Sequence, residues 1–370
     1  MFASILGKIP QYSTISSKCS LKECRKVKKV ENSDEIGEII HRDFLDPFCN
    51  EYVLIGEEET SLGINYLQFE EEIRTFEIRD SDIIVASYPK AGTTWTQELV
   101  WLIGNDLDFK AAEEHLDKRF PHFELCTIVN FAKMTEMLGS TRPEYIGNSI
   151  NYLRDLEGTR FIKTHLTYNL LPEQILNGNR KPKIIYVMRD PKDVCVSYYH
   201  HGRLIQGWRA DFQNFSKVFL SEKIMFGSYW KHVLGYWEHR DKPNVLILTY
   251  EEMKKDLLSV IRKTAQFLDK KLNENKIPQL LKHLSFESMK NNRAVNQQDK
   301  IESRMKHKLV PEQGAFMRSG TSQNYKGEMS EELILKFDEW TKKSISGSSF
   351  VTEPIADLYL NTSQKSVPKM

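Results

Sequence analysis

Residues 82–95, DIIVASYPKAGTTW, decide the fold. Their first half, residues 82–88, is a short apolar run with β-branched side chains, which is typical of a buried strand. A proline and Gly92 follow, and apolar side chains then recur at helical spacing at Trp95, Leu99, Leu102 and Ile103. The stretch therefore predicts a strand, a tight loop and a helix in direct succession.

Three further stretches have the length and composition of strands. They are residues 160–163, 183–188 and 245–250. Residues 229–237 and 257–268 repeat apolar side chains at helical spacing. Strands that alternate with helices predict an α/β fold, with a central, mostly parallel sheet flanked by helices. A P-loop-like phosphate-binding loop is expected after the first strand.

The bulk composition fits one globular domain. The chain has 370 residues, of which 40% are apolar and 28% charged. Residues 1–30 are predicted to be a flexible extension, with a weak mitochondrial targeting segment as the alternative, and residues 31–370 a single domain. The polar stretch 290–330 is predicted to be a long loop or mobile lid. The net charge of +1 gives no reason to expect nucleic acid as a partner, so an anionic ligand needs a local site.

Cysteine usage and hydropathy indicate the compartment. The five cysteines are scattered without dense spacing, which is typical of a reduced, cytoplasmic protein. Cys19 and Cys24 have no nearby His or Cys to complete a zinc site. The apolar runs are shorter than the roughly 18 residues of a membrane span, so we expect no such span.

The loop of the opening stretch has the chemistry of a phosphate site. A helix start exposes unpaired backbone N–H groups. Gly92 lets the backbone approach an anion closely, Lys90 adds a positive charge, and Thr93 and Thr94 offer hydroxyl donors. The lysine precedes the glycine, unlike in G-x4-G-K-[ST]. No predicted strand ends in the acidic residue that a P-loop kinase needs, which disfavours a Mg²⁺-dependent kinase.

The second motif is Lys163-Thr164-His165, at the end of a short predicted strand. Strand ends in α/β sheets face the ligand crevice. A histidine there can take a proton from an attacking hydroxyl near neutral pH, although a structural role is equally open. Lys163 points to the same face of the strand, where a cation can stabilise a transferring anionic group.

The third motif joins Arg189, at a strand-to-helix junction, with Ser197 about two turns along that helix. A guanidinium fork and a hydroxyl can clamp a second phosphate. Taken alone, Arg189 could equally form a salt bridge with Asp190 or Asp193.

These motifs together resemble the cytosolic sulfotransferase family, over about residues 40–345. That family carries Y-P-K-[SA]-G-T-T-W, then K-T-H, then an arginine and a serine eight residues apart, then R-K-G-x2-G-x-W-K. The matching segments are residues 88–95, residues 163–165, Arg189 with Ser197, and residues 316–320 followed by Tyr325-Lys326. The resemblance implies transfer of a sulfuryl group from PAPS (3′-phosphoadenosine 5′-phosphosulfate) to a hydroxyl, with release of PAP and with no metal.

The resemblance also implies a role for each matching residue. The 5′-phosphosulfate would be held by Lys90, Ala91, Gly92, Thr93, Thr94 and Trp95, the last stacking on adenine. The 3′-phosphate would be held by Arg189, Ser197, Arg318 and Gly320. The last two belong to a cofactor-binding segment that also includes Phe316, Met317 and Ser319. The adenine pocket would be lined by Tyr250, Ser285, Phe286 and Met289. The catalytic set would be His165 as the general base, with Lys90, Lys163 and Ser197.

Several positions depart from the family pattern. Ser319 replaces the usual lysine, Leu284 a threonine beside the adenine pocket, and Tyr325 a tryptophan. The family dimer motif K-x3-T-V-x3-E is degenerate here, because Ser330, Glu331 and Leu335 stand at three of its positions and only Lys326 matches. We therefore doubt the usual family dimer, although a homodimer stays open.

The acceptor pocket is expected to be apolar with little charge, which suits a phenol, a sterol or another lipophilic alcohol. Two alternatives to a sulfotransferase stay open on the same fold. One is a dehydratase that eliminates a transiently sulfated alcohol, and the other is a non-catalytic nucleotide-binding relative.

Overall fold

The centre of the molecule is a parallel sheet of four strands. The computed structural model describes residues 25–139, 142–310 and 314–360. Within them the strands are β1 (Val27–Lys29), β2 (Tyr52–Ile55), β3 (Thr60–Gly63), β4 (Ile83–Ala86), β5 (Phe161–Thr164), β6 (Lys183–Met188) and β7 (Val245–Thr249). The parallel sheet has the order β5-β4-β6-β7, and β1, β2 and β3 form a separate antiparallel sheet. The predicted parallel sheet and its strands are confirmed.

Helices cover both faces of the parallel sheet, because its strands are apolar on both sides. Along β4, Ile84 and Ala86 enter one apolar core, while Val85 between them enters the other. Alternate side chains of a strand point to opposite faces, so each helical layer packs against its own set of strand residues.

Two of the helices come before the first strand of the parallel sheet in the chain, and the others follow it. The first half of the chain contains α1 (Glu35–Asp43), α2 (Tyr66–Arg74), α3 (Thr93–Gly104), α4 (Leu116–Arg119), α5 (Leu125–Ile128), α6 (Phe131–Leu138), α7 (Glu144–Gly147), α8 (Ser149–Asp155) and α9 (Glu173–Leu176). The second half contains α10 (Pro191–His201), α11 (Phe212–Leu220), α12 (Tyr229–Trp237), α13 (Tyr250–Lys255), α14 (Leu257–Phe267), α15 (Ile277–His283), α16 (Phe286–Asn291), α17 (Gln298–Lys306) and α18 (Glu331–Ile345). Of the helices described, none has the length and apolarity to cross a bilayer.

One boundary predicted from the sequence needs correction. The predicted extension was drawn to residue 30, but β1 pairs with β2 from Val27, so ordered structure begins earlier than predicted. All three residues of β1 are exposed and two of them are lysines, Lys28 and Lys29. The strand therefore lacks the apolar pattern by which a sequence indicates a buried strand. Residues 1–24 of the predicted extension lie outside the described part of the chain.

The stretch 290–330, which the sequence predicts to be a long loop or mobile lid, is described except for residues 311–313. It contains α17 and the short 3-10 helix Asn324–Gly327. Ile301 of α17 is almost fully buried, whereas most of the helix is polar, so its amphipathic pattern is too weak to recognise. The helix covers the cavity described below.

Candidate active site

One cavity of about 770 Å³ opens at the carboxyl ends of the parallel strands. Its walls include the loop after β4, the residue after β5, the start of α10 after β6, and Tyr250 after β7. This is where ligands bind in parallel α/β sheets, because the polar loops that follow the strands meet at this edge. All three sequence motifs therefore lie at one site.

The loop between β4 and α3 is shaped to expose backbone N–H groups. Lys90 and Gly92 have φ values of +70° and +116°, and Gly92 is the N-cap of α3. Glycine carries no side chain to cap the helix, so the first N–H groups of α3 stay available to an anion. A Cβ at Gly92 would lie 3.1 Å from the Tyr250 ring, which leaves little room there for any larger residue. Left-handed backbone at a lysine is uncommon and is typical of functional loops.

Ala91 differs from its neighbours in this loop. Its methyl group is fully buried in the core and is not part of the cavity wall. Lys90, Gly92, Thr93, Thr94 and Trp95 all line the cavity. The structure therefore brings every residue of the predicted phosphate loop to the site except the side chain of Ala91.

Two lysines face the cavity without an anionic partner. Lys90 Nζ lies 3.9 Å from the centre of the Phe316 ring, and Lys163 lies near the end of β5. Among residues 25–139, 142–310 and 314–360, no carboxylate is within ion-pair distance of either ammonium. Burial, together with Lys163 and Arg189, lowers the pKa of Lys90 to about 7. Burial also lowers the pKa of Lys163, to about 8, against the opposing effect of Asp117. The site is built to receive negative charge.

His165 is held in a single tautomer. Its Nδ1 lies 2.7 Å from the Ser87 carbonyl oxygen, which can only accept, so Nδ1 carries the proton. No residue in the described part of the chain bonds the Nε2 atom, and the ring lines the cavity. Burial, with Lys163 and His122 adding to it, lowers the pKa of His165 well below its usual range. The imidazole is therefore neutral at pH 7 and able to accept a proton.

Glu124 organises this histidine, and sequence reasoning missed it. Its Oε1 accepts the His165 backbone N–H at 2.6 Å, and its Oε2 accepts the Thr164 hydroxyl at 2.9 Å. His122 Nε2 donates to Oε1 at 2.8 Å, and the His122 ring lies 5.0 Å from that of His165. Glu124 belongs to no motif, and its partners at residues 164 and 165 are distant in the chain, so no local signal identifies it.

A second missed acid connects α17 with the site. Lys300 of α17 forms an ion pair of 2.6 Å with the buried Asp117. Burial alone would raise the pKa of Asp117, but Lys300 and His115 lower it to about 2. Asp117 also stabilises the charge on Lys163. Through this ion pair the covering helix is joined to the carboxylate that supports one of the two cavity lysines.

Arg189 has several contacts at once. Its Nη2 pairs with Asp193 at 3.2 Å and donates to the Thr321 carbonyl at 2.9 Å, so the salt-bridge alternative is observed. The guanidinium also lies 4.2 Å from the centre of the Tyr250 ring, and its buried Nε has no protein partner among the described residues. Ser197 of α10 lines the same cavity. The salt bridge orients Arg189 without using all of its donors.

The remaining predicted residues form a flat, partly aromatic wall. The ring centres of Trp95 and Tyr250 are 5.5 Å apart at 65°, and the buried Trp95 Nε1 lacks a protein partner among the described residues. The wall also contains the predicted Ser285, Phe286 and Met289, and the segment Phe316, Met317, Arg318, Ser319 and Gly320. Gly320 has a φ of +62°, and a Cβ there would lie 2.2 Å from the Phe286 ring. Glycine is needed at this close approach.

Arg318 and Ser319 are both engaged by neighbours. Arg318 pairs with Glu328, and the Ser319 hydroxyl accepts a hydrogen bond from the Asn324 side chain. Both residues still line the cavity. Neither contact uses the backbone N–H groups of the segment.

If Arg189, Ser197 and Arg318 hold the 3′-phosphate of PAP, as the family resemblance implies, we expect Ser319→Lys to tighten PAP binding about tenfold, because a new charge-assisted contact is worth about 1.4 kcal/mol. The gain should shrink at high salt, which screens exposed charges. Calorimetry at two salt concentrations measures this, with Glu339→Gln as a control, because Glu339 is exposed, lies outside the cavity wall and its replacement also raises the net charge by one. Unchanged affinity at both salt concentrations would remove residues 316–320 from the 3′-phosphate site.

Further walls of the cavity are apolar but carry more charge than expected. Ile128, Val129, Phe131 and Met134 contribute apolar surface, yet Arg142 and Arg304 line the same cavity. The expectation of a pocket with little charge is therefore wrong. The two arginines come from segments without any motif, so only their convergence on the cavity reveals them.

Comparison with known proteins agrees with this geometry. Residues 80–349 match the sulfotransferase domain family. Human sulfotransferase 1E1 is 31% identical over 288 residues, which cover 77% of this chain and 90% of the relative. A solved structure of retinol dehydratase with androsterone and PAP is 32% identical with a TM-score of 0.78, and the match covers 87% of this chain and 97% of that one. The same enzyme with retinol and PAP is 31% identical with a TM-score of 0.79, over 88% and 98% of the two chains.

A parallel sheet with a phosphate loop, paired cations and a neutral histidine at its carboxyl edge defines a nucleotide-dependent group transferase. The chain belongs to the sulfotransferase family. It is an enzyme that uses PAPS as its sulfuryl donor, as members of this family do.

Proposed function

We propose that this enzyme sulfates a hydroxyl group on a small lipophilic acceptor, with His165 as the general base. The proposal depends on one observation: the Nε2 atom of His165, which no described residue bonds, shares a cavity with Lys90 and Lys163, which form no ion pair with a described residue. A base for the acceptor and cations for the donor are the two requirements of sulfuryl transfer. The apolar walls and the volume of the cavity suit a phenol, a sterol or another lipophilic alcohol.

The groups left without partners fit the anionic nucleotide. Lys90, Lys163 and the N-terminus of α3 would hold the 5′-phosphosulfate, and Arg189 with Ser197 and Arg318 the 3′-phosphate. Buried donors normally have partners, so the unpaired Nε1 of Trp95 and Nε of Arg189 favour a ligand between them. Trp95, Tyr250 and Phe286 would hold the adenine, since aromatic faces stack on bases.

The proposed mechanism follows from the positions of the side chains. PAPS supplies an activated sulfuryl group when it is bound. His165 Nε2 takes the proton of the acceptor hydroxyl as its oxygen attacks, and Ser87 and Glu124 keep the ring in place. Lys90 and Lys163 neutralise the charge that develops on the departing phosphate and on the transferring group.

A second candidate is a dehydratase, in which a sulfated allylic alcohol eliminates instead of leaving the site. The likeness to retinol dehydratase over nearly all of that enzyme's chain favours this candidate specifically. Both reactions share the donor site and the sulfation step, so they differ only in the final product.

Binding and product analysis test these proposals. PAP should raise the melting temperature markedly, because it binds the folded state alone, and ATP should raise it only slightly, because it lacks the 3′-phosphate. With PAPS, a panel of phenols and sterols should give sulfate esters that are 80 Da heavier in mass spectra (about the mass of SO₃), a shift that follows from group transfer. An allylic alcohol in the panel reports the alternative by losing water.

Equal stabilisation by ATP and PAP would contradict the assignment of the 3′-phosphate site. Stabilisation by PAP without any product from the panel would instead favour a nucleotide-binding relative without catalytic activity.

We also place the enzyme in the cytoplasm. Cys49, Cys126 and Cys195 are free and buried in the described structure, which suits a reducing compartment.

A further inference from the structure

Two arginines form a second cationic centre in the cavity, which we call the distal arginine pair. Arg304 lies on α17, and Arg142 lies between α6 and α7. Both line the cavity. Arg142 Nη2 is 3.5 Å from the Ser303 hydroxyl and 3.8 Å from Met134 Sδ, so the pair lies against the apolar wall that Met134 contributes.

The main charges that act on Arg304 differ from those that act on the donor cation Lys90. The charges that act on Arg304 are those of Asp46 and Arg142, whereas those that act on Lys90 are Lys163 and Arg189. The elements also differ, since the donor cations follow β4 and β6 or end β5, while the pair belongs to the segments around α6 and α17. One cavity therefore holds two centres of positive charge.

Neither arginine has a carboxylate within ion-pair distance in the described part of the chain. The nearest acid to act on Arg304 is Asp46, whose Oδ1 already accepts the backbone N–H groups of Phe48 and Cys49 at 2.7 and 2.8 Å. Burial lowers the pKa of Arg304 to about 10, despite Asp46, and Arg142 adds to the effect. Arg304 is partly buried and forms no ion pair with a described residue, so a charge-assisted contact with a bound anion would be favourable.

Helix α17 places Arg304 on the side that faces the cavity. The residues of its cavity-facing side are Asp299, Lys300, Ser303, Arg304 and His307, at helical spacing. The acid among them, Asp299, forms an ion pair with Arg293. Lys300 is already neutralised by Asp117, and His307 Nδ1 bonds the Ser303 carbonyl. Arg304 is thus the cation on this face that remains available.

We propose that the distal arginine pair binds a carboxylate on the acceptor, remote from the hydroxyl that is sulfated. The preferred acceptor is then an amphipathic hydroxy acid, with an apolar body along the Met134 wall and an anion at Arg304. This inference rests on the proposed function, since it names the acceptor class for the same site. A planar guanidinium suits a carboxylate because it can donate two parallel hydrogen bonds.

The test compares two acceptors with the same phenolic skeleton, one ending in a carboxylate and the other in its methyl ester. We expect wild-type kcat/KM to be roughly 10- to 100-fold higher for the carboxylate, the range for charge-assisted contacts. Arg304→Met should abolish this preference, mainly through KM, and leave the ester within about twofold, because uniform binding does not alter the chemical step. Lys306→Met, an exposed change on the same helix, is the matched control and should preserve the preference.

Two further measurements keep the outcome decisive. Calorimetry of each acceptor with the PAP-loaded wild-type enzyme measures the preference without turnover, and PAP binding reports whether each variant is folded. Equal binding of acid and ester by the wild type, or an equal loss of both in Arg304→Met, would overturn the distal site alone. Absence of sulfation with a retained preference for the acid would overturn the proposed reaction but keep the site.

Discussion

His165→Ala is expected to lower turnover by about 10²- to 10⁴-fold, the usual contribution of a positioned general base. PAP affinity should change by no more than about twofold, because the variant removes neither lysine and none of the loop N–H groups. The expectation depends on the Nδ1–H bond to Ser87, which leaves Nε2 as the one basic atom of the ring. Steady-state kinetics with a saturating donor, together with PAP calorimetry, measures both quantities.

The pH profile adds a second check on His165. Burial lowers its pKa well below 6.5, so the ring is neutral and active above that pH. The loss of activity that protonation of the base causes should therefore appear only below pH 6.5. His201→Ala is the comparison variant, because His201 also lines the cavity and its pKa is also lowered by burial. A larger loss in His201→Ala than in His165→Ala would transfer the role of base to His201.

PAP is expected to bind far more weakly at pH 9 than at pH 7. Without ligand, Lys90 and Lys163 have pKa values of about 7 and 8, below the ordinary 10.5, because burial disfavours their charged forms. The phosphates of PAP favour the charged forms, so binding takes up protons wherever the free lysines are neutral. Affinity is therefore full below pH 7 and falls as pH rises. Deprotonation of Lys90 alone predicts that PAP binds about 50-fold more weakly at pH 9 than at pH 7. Deprotonation of Lys163 over the same range weakens binding by a further factor of roughly ten.

Calorimetry in two buffers with different ionisation enthalpies tests this directly. At pH 7 the wild type should take up about half a proton through Lys90, since its pKa is near that pH. Lys90→Met should bind PAP more weakly at pH 7 but lose affinity more slowly between pH 7 and 8, because the first titrating group is gone. If the affinity of the wild type for PAP stayed constant from pH 7 to 9, Lys90 and Lys163 would not lose their charges in the ligand-free site over this range, and the prediction would be wrong.

The sequence by itself determined the α/β fold and the three motifs that we propose form the donor site. Residues 82–95 contain a strand, a loop and a helix in one continuous segment, so local pattern suffices to place Lys90 and Gly92. The motifs at residues 163–165 and 189–197 follow strands, and a parallel sheet necessarily brings such strand ends to one edge. Their meeting in a single cavity is therefore a consequence of fold class.

Glu124, Asp117 and the distal arginine pair were decided by tertiary structure alone. Glu124 bonds to His165 across 41 positions of the chain, and it precedes a helix of four residues that has no recognisable period. Likewise, Lys300 and Arg304 lie on a polar helix that the composition predicts to be a loop, and their roles depend on which face it presents to the cavity. A sequence motif consists of residues that lie near one another in the chain. The contacts of Glu124, Asp117 and the distal arginine pair join residues that are far apart in the chain, and they exist only after distant segments have packed against each other.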